Sequence, residues 1–165
     1  MINDEIAKML VEQINKELYS GYLYMEFANF YEEKKLPGFA HWFMVQAVEE
    51  YEHAMKIRDF LISAGRKVTL SAIDEPDNSS NKIGDPLYAS LKHEQYITFS
   101  IYEIYEKALS VKDHLTAGFL NWFIKEQGEE EANAQELIKK FELIDGASGR
   151  GLHMLDRELV NRKND

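Results

Sequence analysis

Apolar residues return at three- and four-residue intervals along four long stretches of this chain, and every stretch breaks its own pattern with a carboxylate. The first stripe runs Leu10, Ile14, Glu17, Gly21, Tyr24, Ala28, Tyr31, and the second Leu36, Phe39, Phe43, Gln46, Glu50, His53, Ile57, Phe60, Ala64. The third is Leu87, Leu91, Glu94, Ile97, Ile101, Tyr105, Ala108, and the fourth Leu120, Phe123, Gln127, Glu130, Ala134, Leu137, Phe141, Ile144. Four such stripes predict a four-helix bundle. An ionised carboxylate facing a packed apolar interior costs several kcal/mol unless a cation or hydrogen bonds compensate it. Glu17, Glu50, Glu94 and Glu130 each fall within about three residues of the middle of their stripe, an axial scatter of about 5 Å at the helical rise. Any packing of these helices brings the four carboxylates to mid-bundle. A single such Glu is ordinarily a boundary residue with its head in water, but four at one height call for a shared metal.

The remaining composition narrows the chemistry. At 165 residues with 45% hydrophobic content the chain suits one domain, spanning residues 1–165. It has no cysteine, which excludes disulfides, zinc ribbons and thiolate iron centres and leaves oxygen and nitrogen ligands. No run approaches the roughly twenty apolar residues of a membrane span, and the opening Met1-Ile2-Asn3-Asp4-Glu5 lacks the basic and apolar regions of a secretory signal. A soluble, cytoplasmic protein without a membrane partner is the expectation. A net charge of −10 disfavours nucleic acid and favours cations, although acidity alone usually reflects solubility.

Proline and glycine mark the boundaries. Leu36-Pro37-Gly38 joins the first two helices in a tight antiparallel hairpin, with Pro37 in the first turn of the second helix. Gly65 is the expected C′ residue ending that helix. From there to about Gly84 the chain has proline, serine, asparagine and only scattered apolar residues, Val68, Leu70 and Ile73, a long loop of a kind uncommon in compact domains. Crossing the length of a bundle, about 42 Å for a 28-residue helix, is a reason for one. The third helix, from about Asp85 to Val111, would then run parallel to the second. Lys112-Asp113-His114 breaks it from a fourth helix that continues to about Ile144, so that the bundle occupies about residues 5–144. After Gly146, Ser148 and Gly149, a short amphipathic segment with Leu152, Leu155 and Leu159, about residues 148–160, needs the bundle or another subunit to pack against.

Glu50 and His53 form a Glu-x-x-His pair, a carboxylate and an imidazole one turn apart on one face. That spacing is common by chance. The constellation is not: Glu17, Glu50 with His53, Glu94, and Gln127 with Glu130, one group from each helix. Carboxylates with one imidazole suit iron or manganese with open positions for dioxygen, whereas closed zinc sites prefer thiolates or more histidines. In these residues, and over essentially its whole length, the chain resembles the non-haem bacterial ferritins, bundles with a long crossover and a di-iron centre.

The resemblance implies that Glu17, Glu50 and His53 hold one iron, that Glu50, Glu94 and Glu130 hold the second, and that Glu50 bridges. Gln127 stands where bacterioferritins and several di-iron oxidases carry another carboxylate, and Glu130 where they carry a second histidine, a departure that points to ferritin proper. Bacterioferritins also place a haem-binding methionine just after the bridging glutamate; here that residue is Tyr51, so no haem is expected. The resemblance further implies a third iron site from Glu49, Glu126 and Glu129, residues otherwise readable as a solvated acidic face, and puts Tyr24 against the iron centre as a hydrogen-bonding and electron-donating group. Trp122 lies one turn before Glu126. His41, His93 and His114 carry no partner motif and are expected at surface or turn positions.

The implied function is ferroxidase activity and iron storage: oxidation of Fe(II) by dioxygen or peroxide, with Fe(III) mineral kept inside a cage of twenty-four copies. Two rivals follow from the same residues, a soluble di-iron oxidase or peroxidase that stores nothing and a metal-free helical interaction module. A cavity separates storage from the first, and metal content separates it from the second.

Overall fold

A computed structural model of the chain describes residues 2–144 and 149–164. The described residues form five helices: α1 Asp4–Glu33, α2 Pro37–Ser63, α3 Asp85–Ser110, α4 His114–Leu143 and α5 Gly149–Leu159. Several boundaries have a local cause. The Asn3 side chain accepts hydrogen bonds from the Glu5 and Ile6 amides to cap α1, and Asp113 caps α4 through the Thr116 amide. Pro37 opens α2. Gly65, at φ 75°, follows the α2 C-cap in the left-handed conformation that glycine takes without a Cβ penalty. The start of the last segment, with Gly146 and Ser148, lies outside the described residues.

Cross-helix contacts fix the directions. Tyr31 meets Ile83, Tyr24 meets Glu94, and Gln13 meets Ser100, so α1 and α3 are antiparallel. Gln46 meets Glu130 while Phe60 stacks on Phe119, so α2 and α4 are antiparallel. Tyr88 meets Glu142 and Thr98 meets Glu131, which sets α3 against α4 in the same sense. With α1 and α2 closed as a hairpin, α3 runs parallel to α2. The segment between α2 and α3 covers the distance as an extended crossover, and the Asn15 amide holds it at the Ser71 and Ala72 carbonyls.

The fifth helix packs on the bundle. The N-terminus of α2 has no side-chain cap of its own. Asp156 of α5 supplies one, its Oδ1 accepting from the Gly38 and Phe39 amides at 2.8 and 3.0 Å. Gly38 permits this approach because a Cβ there would fall 1.7 Å from the Asp156 carbonyl oxygen. Beyond α5 the tail continues along α2 towards the bundle's middle.

Candidate metal centre

The four stripe carboxylates lie inside the bundle. Glu17 and Glu50 are 0% exposed, Glu94 2% and Glu130 3%. Above them the core is one apolar cluster and below them another, so the carboxylates occupy a polar layer between two packed regions. Among the described residues, the one ion pair any of the four makes is between Glu50 and His53, Oε2 to Nδ1 at 3.3 Å.

Two triads of ligand-capable atoms, each within 4.8 Å of one another, meet at Glu50: Glu17 with Glu50 and His53, and Glu50 with Glu94 and Glu130. A third such group joins His53 and Glu130 to Glu126. Helical geometry explains the first two: Glu50 and His53 share a face of α2, and α1, α3 and α4 each present one carboxylate at the same height. Two buried atoms there, Glu17 Oε2 and Gln127 Oε1, have no hydrogen-bond partner, and Glu50 Oε2 and His53 Nδ1 have only their 3.3 Å contact with each other. Buried polar atoms are almost always satisfied, so an unpartnered Glu17 oxygen within a group of ligand-capable atoms from Glu50 and His53 suits a cation.

The surrounding hydrogen bonds orient these acids from outside. The Gln13 amide donates to Glu17 at 2.9 Å. The Tyr24 hydroxyl donates to Glu94 Oε1, and the Gln127 amide donates to Glu94 Oε2 at 3.0 Å. Gln46 donates to Glu50 at 3.3 Å and also to Glu130 Oε2. Gln127 therefore acts here as a donor to a carboxylate.

Electrostatics follow from crowding, with His53 the counter-charge beside Glu50. Burial, with the neighbouring Glu94 and Glu17 charges, pushes the Glu50 carboxyl well above its ordinary range. Burial also raises Glu94, against the hydrogen bonds from Tyr24 and Gln127. Glu130 is pushed up to about 8, chiefly by burial and then by Glu94. Burial disfavours charge on His53, yet hydrogen bonds to Glu126 and Glu50 outweigh it and push the imidazole up to about 12. Burial in this layer thus favours the protonated forms of Glu50, Glu94 and Glu130.

The remaining sequence candidates sit at differing distances from this layer. Tyr24 is fully buried against it, and Trp122 is edge-on to the His53 ring at 5.5 Å, with Lys56 Nζ 4.2 Å from the indole centroid. Glu126 reaches His53 Nε2 at 3.8 Å. Glu49 is buried, but its carboxylate faces Arg162 at 3.2 Å. Glu129 is exposed in the middle of α4, with Lys125 3.9 Å away. Glu49, Glu126 and Glu129 are thus not gathered as the first two triads are. His114 is an exposed first residue of α4, as expected. His93 is a correction. Expected at a surface or turn, it sits mid-α3 between the rings of Tyr19, Tyr24 and Tyr96, 2.7 Å from Ser20 Oγ, and burial lowers its imidazole to about 4. His41, partly buried, meets the Arg162 carbonyl at 2.7 Å and so holds the tail. Sequence reasoning also passed over Gln13 and Arg162. Gln13 sits four residues before Glu17 and had that spacing as its signal, whereas Arg162 had none.

The Ferritin-like domain model matches residues 7–144, the four bundle helices. A bacterial non-heme ferritin of Campylobacter jejuni is 35% identical over 98% of this chain and 96% of its own length. Another of Staphylococcus saprophyticus is 34% identical over 100% of this chain and 98% of its own. The open pore ferritin of the archaeon Archaeoglobus fulgidus superposes with a TM-score of 0.96 at 39% identity, covering 99% of this chain and 100% of that one. A form of it engineered to be closed gives 0.97 at 38% identity, with both chains fully covered. A matched bundle, a matched crossover and full-length relatives together make this chain a member of the ferritin family.

Proposed function

We propose that the chain stores iron: it takes up Fe(II), oxidises it between the two triads that share Glu50, and keeps the Fe(III) as mineral inside a cage of its own copies. The observation that carries this reading is the pair of buried ligand triads with a carboxylate in common. One shared carboxylate holds two irons close enough to act on one oxidant, as two-metal sites do. In this assignment Glu17, Glu50 and His53 hold one iron, and Glu50, Glu94 and Glu130 the other. Iron is here the substrate.

The oxidant is dioxygen or peroxide, each Fe(II) giving up one electron. The protein's own part is positional. Tyr24 and Gln127 hold Glu94 from two sides, and Tyr24 is placed to pass an electron into the centre from a fully buried site. Protons held by Glu50, Glu94, Glu130 and His53 leave as cations enter. Glu126, grouped with His53 and Glu130, is the natural start of an accessory third site on the way out. Glu49 joins it only by exchanging Arg162 for metal, and Glu129 only by turning inward. Storage requires a closed container, and twenty-four copies are its proposed number. No helix among the described residues is long and apolar enough to cross a membrane, and a cytoplasmic location fits the bacterial relatives.

The decisive measurement is stopped-flow absorbance after mixing with Fe(II). Glu50→Ala removes a ligand from both positions, and its initial rate is expected to fall by about a hundredfold. An unchanged rate would falsify the assignment. Sedimentation of the wild-type protein as a hollow particle of twenty-four subunits is the companion result, and a monomer or dimer at micromolar concentration removes the container.

A further inference from the structure

The tail beyond α5 ends its course against the polar layer. Arg162 lies along α2, its side chain 14% exposed, with the guanidinium carbon 4.1 Å from the centroid of the Trp42 ring. Nη1 donates to the Trp42 carbonyl at 2.9 Å. Nη2 donates to Gln46 Oε1 at 2.8 Å and to Glu49 Oε2 at 3.2 Å. His41 meets the Arg162 carbonyl from the other side, and the Asn164 amide reaches Glu52 at 3.3 Å. This is a docked segment with a stacked, forked cation, a geometry that lysine does not reproduce.

The consequence runs through Gln46. Its amide nitrogen faces two candidate iron ligands, Glu50 and Glu130, and its amide oxygen faces Arg162. A carboxamide has nearly the same shape when flipped, so packing alone does not choose between the two orientations. Arginine has only donors. With Arg162 in place the oxygen must point to the tail, and the NH2 group must point to the carboxylates. Without it, the flipped amide would set a carbonyl oxygen against two acids. We infer that Arg162 is a positioning residue for the iron centre: by fixing the amide of Gln46 it directs Glu50 and Glu130, so that tight metal binding depends on a docked C-terminal tail.

The inference rests on the proposed iron site and is tested apart from turnover. Co(II), which binds without reacting, is titrated anaerobically into the assembled, metal-free protein and followed by calorimetry and by its visible absorption. Loss of an outer partner to metal ligands typically weakens binding ten- to a hundredfold. Arg162→Ala is expected to weaken the tight Co(II) sites by about tenfold and to change their absorption band. In iron oxidation it is expected to raise the Fe(II) concentration for half-maximal rate by about tenfold while the saturated rate holds. Gln46→Met keeps the volume and loses the amide, and the double variant is expected to bind Co(II) no worse than Gln46→Met alone, because both changes break one path.

Wild-type Co(II) affinity and absorption in Arg162→Ala overturn the inference. So does full additivity in the double variant, and so does a gain of one weak Co(II) with the tight sites unchanged, which would make Arg162 merely the counter-charge of Glu49. Should Arg162→Ala not assemble, unchanged Co(II) binding by Gln46→Met overturns it equally. A wild-type protein that binds no Co(II) would instead sink the iron reading itself.

Discussion

The two halves of the core are built from different materials. On the side of the α1–α2 turn the buried residues include Tyr24, Phe27, Tyr31, Phe39, Trp42, Phe43 and Phe141, closed over by Leu152, Leu155 and Leu159 of α5. On the far side they are Ile2, Ile6, Leu10, Ile14, Ile57, Leu61, Ile97, Ile101, Ile104 and Leu120, with Phe123 beside them. The aliphatic half offers the polar layer a floor of stiff, branched hydrocarbon with nothing to donate. The aromatic half carries hydroxyls and interlocking rings: Tyr31 stacks on Phe43 at 5.7 Å, Phe43 lies 5.8 Å from Tyr24, and Tyr24 donates to Glu94. One half therefore meets a candidate ligand only through ring packing, Phe123 lying 6.0 Å from His53, while the other reaches Glu94 through a donated hydrogen bond.

Paired cavities break this comparison most directly. Phe43→Ala is expected to destabilise the metal-free protein by about 4 kcal/mol in urea denaturation and, by loosening Tyr24, to slow iron oxidation about tenfold. Leu61→Ala in the other half is expected to cost about 3 kcal/mol with the oxidation rate unchanged. Equal slowing in both would show that the halves do not differ in this respect. Gly38→Ala comes next: its Cβ collides with the backbone of Asp156, so about 3 kcal/mol and the docking of α5 are expected to go together, the latter read as faster hydrogen exchange in residues 149–164.

Tyr24→Phe sharpens the contrast with a single oxygen. It keeps the ring packing and takes one donor from Glu94, an expected loss of about 1 kcal/mol without metal and an altered oxidation time course. Unaltered kinetics would reduce Tyr24 to a space-filling ring.

The smallest effect is the pH response of the layer itself. Burial keeps protons on Glu50, Glu94 and Glu130, the last up to about 8, so above the ordinary carboxylate range the folded chain holds more protons than the unfolded one. Stability of the metal-free protein then falls as pH rises through that window. His53 has the same sign, since a group kept charged up to about 12 loses its contribution from its ordinary 6.5 upward. His93 is opposite, kept neutral down to about 4, and takes effect only below 6.5. The melting temperature of the metal-free protein should therefore decline from pH 6.5 to 8, and Zn(II) should flatten the slope by replacing the protons. A rising or flat metal-free profile would mean that the layer is already ionised.

The bundle and its polar layer were legible because a carboxylate on an apolar stripe contradicts its surroundings, and Glu17, Glu50, Glu94 and Glu130 repeat that contradiction at one height. Pro37, Gly65 and Asp113 gave the boundaries through backbone rules that act locally. His93 was misplaced because periodicity assigns a residue one face, while the Tyr19 and Tyr24 rings beside it come from α1, where that helix touches α3. Gln46 was placed on its stripe without a role, since a polar residue's partners depend on the facing helix. Arg162 and Asp156 were invisible for a simpler reason: each acts on residues more than a hundred positions away, at sequence separations of 113 to 120 for Arg162 and 117 to 118 for Asp156.

That separation orders the events of folding. Contacts so distant in sequence must wait until the chain between them has already been brought together. The α1–α2 hairpin can close early, from neighbours, but the first amides of α2 obtain their carboxylate only after α5 arrives on a finished bundle. The seating of α5 is therefore a late step, and it reports that the earlier ones succeeded: a misregistered bundle presents the wrong surface to Leu152 and Leu155 and leaves the Gly38 amide unanswered. Asp156 thereby gives the molecule a physical test of its own assembly, passed only when both ends of the sequence are correctly in place.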